Sequence, residues 1–159
     1  MTSAPSSMHL YRPGVLSALG SGMEVTVERL LDPAPSSLTL SGRWVAGRTL
    51  PLGQVTEPLR PFDAALPDEH RSRNNQLLWH AMAQVEPALS AACRCFGPDR
   101  IGVVLGTSTS GVDENLPAFR HIVDHGQWQE SAFSQAHQLL CSPVDFIQAQ
   151  YGLSGIGYA

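Results

Sequence analysis

Residues 101–111 read IGVVLGTSTSG, and no other stretch constrains the chain as much. Ile101-Gly102-Val103-Val104-Leu105 is a continuous apolar run, the pattern of a strand buried on both faces. The loop from Gly106 to Gly111 follows at once. It therefore sits at the carboxyl end of that strand, where open α/β sheets place their ligands. Upstream, Leu77, Leu78, Ala81, Met82, Val85, Ala88, Leu89, Ala92, Cys93 and Phe96 recur at three and four residues. They form one apolar stripe on a helix over about 71–96. Pro87 falls inside this pattern, where it removes one backbone hydrogen bond and kinks the helix. Gly97-Pro98 stops it. After the loop, Leu116, Phe119, Ile122 and Val123 space as a second, short helix. Helix, buried strand, loop and helix in this order make an α/β unit with a parallel sheet.

The flanks carry weaker signals. Residues 15–22, VLSALGSG, form a short apolar segment closed by glycine and serine. Residues 23–31 have helical spacing, with Val27, Leu30 and Leu31 as the apolar stripe, and the Asp32-Pro33-Ala34-Pro35 run ends it. Residues 38–55 alternate around Ser41-Gly42-Arg43 and Ala46-Gly47-Arg48, as in a β-hairpin or two short strands. A last helix starts at Ser142, which can cap it. Pro143 suits its first turn, Asp145 favours its positive end, and Tyr151-Gly152 closes it. Ile156 to Ala159 reads as the opening of a strand. Residues 1–13 form a flexible N-terminus, leaving one domain over 14–159.

Composition narrows the function classes. The hydrophobic fraction of 43% and charged fraction of 15% belong to a packed domain, not a disordered chain. The net charge is -4, and all ten basic residues are arginines, scattered with no basic stripe. Nucleic acid is thus not an expected partner. No apolar run approaches the ~20 residues that cross a bilayer, and the start lacks the basic and apolar regions of a signal peptide. The expectation is a cytoplasmic protein with no membrane partner, its three cysteines free thiols.

Several residue groups invite chemistry. The GTSTSG loop has the glycine spacing of a Walker A motif, but Val112 stands where the phosphate-binding lysine belongs, and it lacks the G-x-G-x-x-G pattern. An ordinary turn whose hydroxyls satisfy its own backbone competes with a ligand loop. His121 and His125 lie four apart on one helix face, as in metal sites, with His137 the nearest third ligand. Solvated or hydrogen-bonded histidines explain the same spacing, and no metal is expected. Cys93-Arg94-Cys95 is not a C-x-x-C motif. Cys93 belongs to the apolar stripe. Cys141, just before the last helix, is the one cysteine in a setting that lowers a thiol pKa, although a buried spacer thiol fits it too. No complete catalytic set follows from spacing, because such partners meet in space.

Three segments together resemble one family. They are the long helix leading into DRIGVVLGTSTSG, the stretch from Glu114 to Gln150, and the terminal QYGLSGIGYA. In their order and spacing they resemble the N-terminal half of β-ketoacyl-acyl-carrier-protein synthases, condensing enzymes of the thiolase-like superfamily. The match covers about residues 71–159. The opening VLSALGSG is a reduced version of the family's first strand and loop, and residues 38–67 are short.

The resemblance implies an α/β, thiolase-like fold: the N-terminal half of an α-β-α-β-α layered sandwich with a mixed, mostly parallel sheet. It implies decarboxylative Claisen condensation of an acyl thioester with malonyl-carrier protein, in fatty acid or polyketide-type biosynthesis, without a cofactor. By family spacing, the nucleophilic cysteine falls about five residues past Ala159, and two histidines lie further on. No residue here is then catalytic. Thr107, Ser108, Thr109, Ser110 and Gly111 match the loop that borders the acyl pocket. Phe133, His137, Leu140, Cys141, Phe146 and Ile147 match the dimer interface and pocket floor. The implied partners are an acyl carrier protein, acyl and malonyl thioesters, and a second synthase subunit in a homodimer or heterodimer. A non-catalytic chain-length-factor-like subunit, or an inactive fragment, fits the same residues.

Overall fold

The strongest local signals build the elements where they are expected. The computed structural model describes residues 8–33 and 38–159. Its elements are β1 (Leu16–Ser17), β2 (Gly20–Ser21), α1 (Met23–Leu31), β3 (Thr39–Val45), β4 (Arg48–Leu52), α2 (Arg73–Met82), α3 (Glu86–Phe96), β5 (Val103–Val104), α4 (Leu116–His125), α5 (Ser142–Tyr151) and β6 (Gly157–Tyr158). Short 3-10 turns fill several connections. Most of the N-terminal segment, and the prolyl stop after α1 from Ala34 onward, lie outside the described residues.

Three two-stranded ladders form. β1 pairs antiparallel with β2, β3 antiparallel with β4, and β5 parallel with β6. The hairpin turns at Gly47, whose φ of 70° suits a residue without a Cβ. In the parallel pair, Val103 N donates to Ile156 O at 2.8 Å and Leu105 N to Tyr158 O at 2.9 Å. The 101–105 run is thus a parallel strand, as its sequence reads. Two expectations are corrected. The described residues assemble no mostly parallel sheet, only this one parallel pair. The strand is also not buried on both faces: Ile101, Val103 and Leu105 are half-buried, whereas Val104 is 83% exposed. Helix α5 covers one face, and no described element covers the other.

The long helix is also corrected. It divides into α2 and α3, because the chain between them turns through i→i−3 bonds. Gln84 N donates to Ala81 O at 3.2 Å and Val85 N to Met82 O at 3.0 Å. Pro87 then enters the first turn of a new helix, where a missing N–H costs nothing. The apolar periodicity runs across the break, which is why it reads as one helix.

The core gathers where α2 crosses α5. Trp79, Phe146, Ile147 and Leu153 are buried, with Phe62, Leu78, Met82 and Ile101 packed around them. Phe62 stacks on Trp79 with centroids 5.9 Å apart, and Phe146 meets both rings edge-on at 5.9 and 6.3 Å, the arrangements ring quadrupoles favour. Burying Phe146 or Ile147 fully contributes about 1.5–3 kcal/mol each. Helix α5 begins one residue earlier than a Ser142 cap would place it. Cys141 is its N-cap, and Ser142 is a buried first-turn residue, so the side-chain cap is not made. Gly152, at φ 62°, closes it as expected.

Candidate functional site

The GTSTSG loop leaves β5 and runs back over the start of α2. Its first hydroxyl serves its own turn: Thr109 N donates to Thr107 Oγ1 at 3.2 Å, and Thr107 Oγ1 donates to Thr109 O at 2.5 Å. Ser108 and Thr109 are exposed. The loop then dives inward. Ser110, 7% exposed, donates from Oγ to His137 O at 2.5 Å. Gly111 is packed so closely that a Cβ would stand 2.8 Å from Ser72 Cβ and 3.2 Å from His137 Cδ2, so only glycine fits.

A buried polar brace holds this junction. Ser72 caps α2 by accepting from Asn75 N at 3.1 Å. Asn115 is clamped to Ser134 in both directions, donating to Ser134 O and accepting from Ser134 N, each at 2.8 Å. His137 Nε2 meets Asp68 O at 3.2 Å. Each of these is a long-range tie or a local cap around the back of the loop, and none can be read from motif spacing. Buried polar groups satisfied in this way hold one conformation.

The structure thus brings Ser110 and Gly111 together with His137. The other expected pocket residues scatter. Phe133 joins an aromatic cluster with Phe119 and Trp128, at centroid distances of 6.1 and 5.0 Å. Leu140 and Cys141 face outward, and Phe146 and Ile147 belong to the core. The imidazoles of His121 and His125 stack at 4.3 Å, but His125 Nδ1 meets the His121 carbonyl at 3.3 Å, and His137 is buried elsewhere. No cluster of metal-ligating side chains forms among the described residues. Cys93 is half-buried against the core, and Cys95 and Cys141 are exposed; all three are free thiols. None of them lies on the loop.

In front of the loop opens a cleft of 280 Å³, lined by Leu16, Val55, Asn74, Leu77, Leu78, Ala81, Leu105, Gly106 and Thr107. It is mostly aliphatic and lies between β1, α2 and the end of β5. A cavity of 510 Å³ beside the hairpin shares Val55 and Leu77 with it. No described helix is long and apolar enough to cross a membrane.

No family model matches the chain, and no curated protein matches it. A solved structure does. It is a chain of the Xenorhabdus doucetiae ketosynthase ApeO in complex with its chain length factor ApeC, 30% identical, with a TM-score of 0.79. The fold is ketosynthase-like. The superposition takes in 98% of this chain and 40% of the matched one. It therefore includes the weakly matching front third as well as the segment from α2 onward.

Proposed function

We propose that this chain is the N-terminal part of a ketosynthase-type subunit in acyl-chain condensation of the polyketide or fatty acid kind. The observation that carries the reading is the likeness to a chain of the ketosynthase–chain length factor complex, over nearly the whole of this sequence. The GTSTSG junction supports it. A loop at the carboxyl end of a parallel strand, locked from behind by Ser110 and His137, presents a fixed wall to an aliphatic cleft.

In this reading Thr107 to Gly111 border the acyl group, and the His137–Ile147 region supports that wall and meets a partner subunit. The nucleophile lies beyond Ala159. There a cysteine thiolate would take the acyl group from a carrier thioester and release the carrier thiol. Malonyl-carrier protein would lose carbon dioxide, its carbanion would attack the acyl carbonyl, and the cysteine thiolate would leave. The partner class in the matched structure also supports a second role. A chain-length-factor-like subunit would keep the same wall, lack the nucleophile and set product length in a heterodimer.

One experiment separates the roles. The protein in its full reading frame is incubated with an acyl-carrier thioester, alone and with any co-purifying synthase subunit, and examined by intact-mass and peptide mass spectrometry. Acylation of a cysteine beyond Ala159 supports the condensing role. Acylation of the partner alone, with product length that shifts in Thr107→Val or Ser108→Val, supports the chain-length role. No acylation in either subunit, and no effect on product length, refutes both.

A further inference from the structure

Two imidazoles meet at the C-terminal end of α4. His121 and His125 are four residues apart, so the helix places them one above the other on one face. Their ring centroids are 4.3 Å apart and the planes are 23° from parallel. His125 is exposed and His121 half-buried, so the pair is open to solvent. The contact at His125 fixes its chemistry. A carbonyl oxygen can only accept, so the 3.3 Å approach to His121 O means that Nδ1 carries the proton. In the neutral ring the free lone pair is then on Nε2. A backbone carbonyl on the far nitrogen is the arrangement that orients metal-ligating histidines. No ion pair among the described residues engages either ring. The position also favours a cation, because the last turn of a helix carries partial negative charge. Asp124 adds a carboxylate to that turn, and Arg120 an opposing charge just before the pair.

We propose that His121 and His125 chelate one divalent transition-metal ion of the nickel and zinc kind. Nε2 of His125 and a ring nitrogen of His121 are the two protein ligands, and water completes the shell. Imidazole suits these ions, whereas magnesium and calcium need sets of oxygen ligands that the pair does not offer. A metal at about 2.0–2.1 Å from each nitrogen needs the two nitrogens about 3 Å apart. The outer torsion of a histidine side chain is broad, so rings already 4.3 Å apart reach this by rotation. Once bound, the ion links the last two turns of α4. His137 is not a third ligand, because it is buried in the brace behind the loop with Nε2 on Asp68 O. The site is a two-point chelate. It stands on α4 alone and not on the ketosynthase reading.

Titration calorimetry of the full 159-residue chain tests it with nickel, zinc and magnesium chlorides, in a buffer free of metal ligands and with the thiols kept reduced. Saturable binding of one nickel or zinc ion per chain is expected, with magnesium silent. His121→Ala and His125→Ala should each weaken nickel binding by at least the roughly tenfold that loss of an outer-shell partner costs a metal site. Nickel should also raise the thermal midpoint of the parent, and neither single variant should show the rise. A relocated pair tests the spacing itself. Val123→His with His125→Ala keeps six histidines but sets two of them two residues apart, on different faces of the helix. It should bind as weakly as the single variants. Val123 and His125 are both exposed, so this variant leaves the core untouched. Nickel binding that survives His125→Ala or the relocation, an equal response to magnesium, or several weak sites per chain would each overturn the proposal.

Discussion

Tyr151, the last residue of α5, shows how one side chain ties the core to pH. Its hydroxyl is buried without a hydrogen-bond partner, as is the indole N–H of Trp79. Burial pushes its pKa above the ordinary tyrosine value, and the negative charge of Glu86 adds to this. Arg60 and the nearby Trp79 side chain pull the other way, although neither buried group reaches hydrogen-bond geometry with the other. The folded state therefore holds the phenol proton more tightly than the unfolded chain. The resulting stability is complete below the unfolded value of about 10 and is lost as pH rises through the folded one. Tyr151→Phe should leave stability at neutral pH within ~1 kcal/mol, since no hydrogen bond is removed. It should also lessen the alkaline loss. Urea denaturation of both proteins near pH 7 and above about pH 10 checks this, and an identical alkaline loss in the variant would count against it. The same scale sets the limit of motif reading. Ser110, Gly111 and His137 stand out in the sequence singly. Their junction depends on Ser72, Asn115 and Ser134, whose partners are distant in sequence or ordinary in type.

At the scale of elements, Pro87 is the instructive case. In a helix interior a proline costs about 3 kcal/mol, and its replacement by alanine would recover that amount. In the first turn of α3 the lost N–H has no intrahelical partner, so Pro87→Ala should change stability by less than ~1 kcal/mol, on the destabilising side, because the unfolded chain becomes less restricted. Denaturant midpoints and far-ultraviolet circular dichroism read the difference. A gain near 3 kcal/mol, with added helicity, would mean that α2 and α3 are one interrupted helix. The elements best read from sequence are those set by local chemistry. The hairpin turns at Gly47 and α5 stops at Gly152, both with positive φ. What the pattern does not carry is the single-residue choice between Cys141 and Ser142 as N-cap, or the break inside a stripe that stays apolar on both sides of it. Strand 101–105 shows the same division. Its residue types specify a parallel strand, while the face that carries Val104 stays open, because burial on a second face depends on packing that no local pattern reports.

That uncovered face sets the behaviour of the whole molecule. Parallel strands occur in sheets covered on both sides, and an isolated two-stranded ladder is marginal in water. Here β5 and β6 present Val104 at 83%, Ile156 at 67% and Tyr158 at 64% exposure. A second apolar groove of 550 Å³ runs along α3, lined by Tyr11, Val85, Ala88, Leu89 and Phe96 among others. Exposed apolar surface of this kind marks places where other protein packs. The matched chain is longer, with 40% of it accounted for by the superposition. The isolated 159-residue chain should therefore bind a hydrophobic dye and associate as its concentration rises. If the β5–β6 face drives association, Val104→Thr with Ile156→Thr should lower the sedimentation-average mass and the dye signal. The thermal midpoint should hold, because both side chains are already solvated in the isolated chain. If the α3 groove drives it instead, Phe96→Ser should have the larger effect. A chain that stays monomeric and dye-silent at high concentration would show that its exposed apolar residues are tolerated singly, and that neither face is built to be covered.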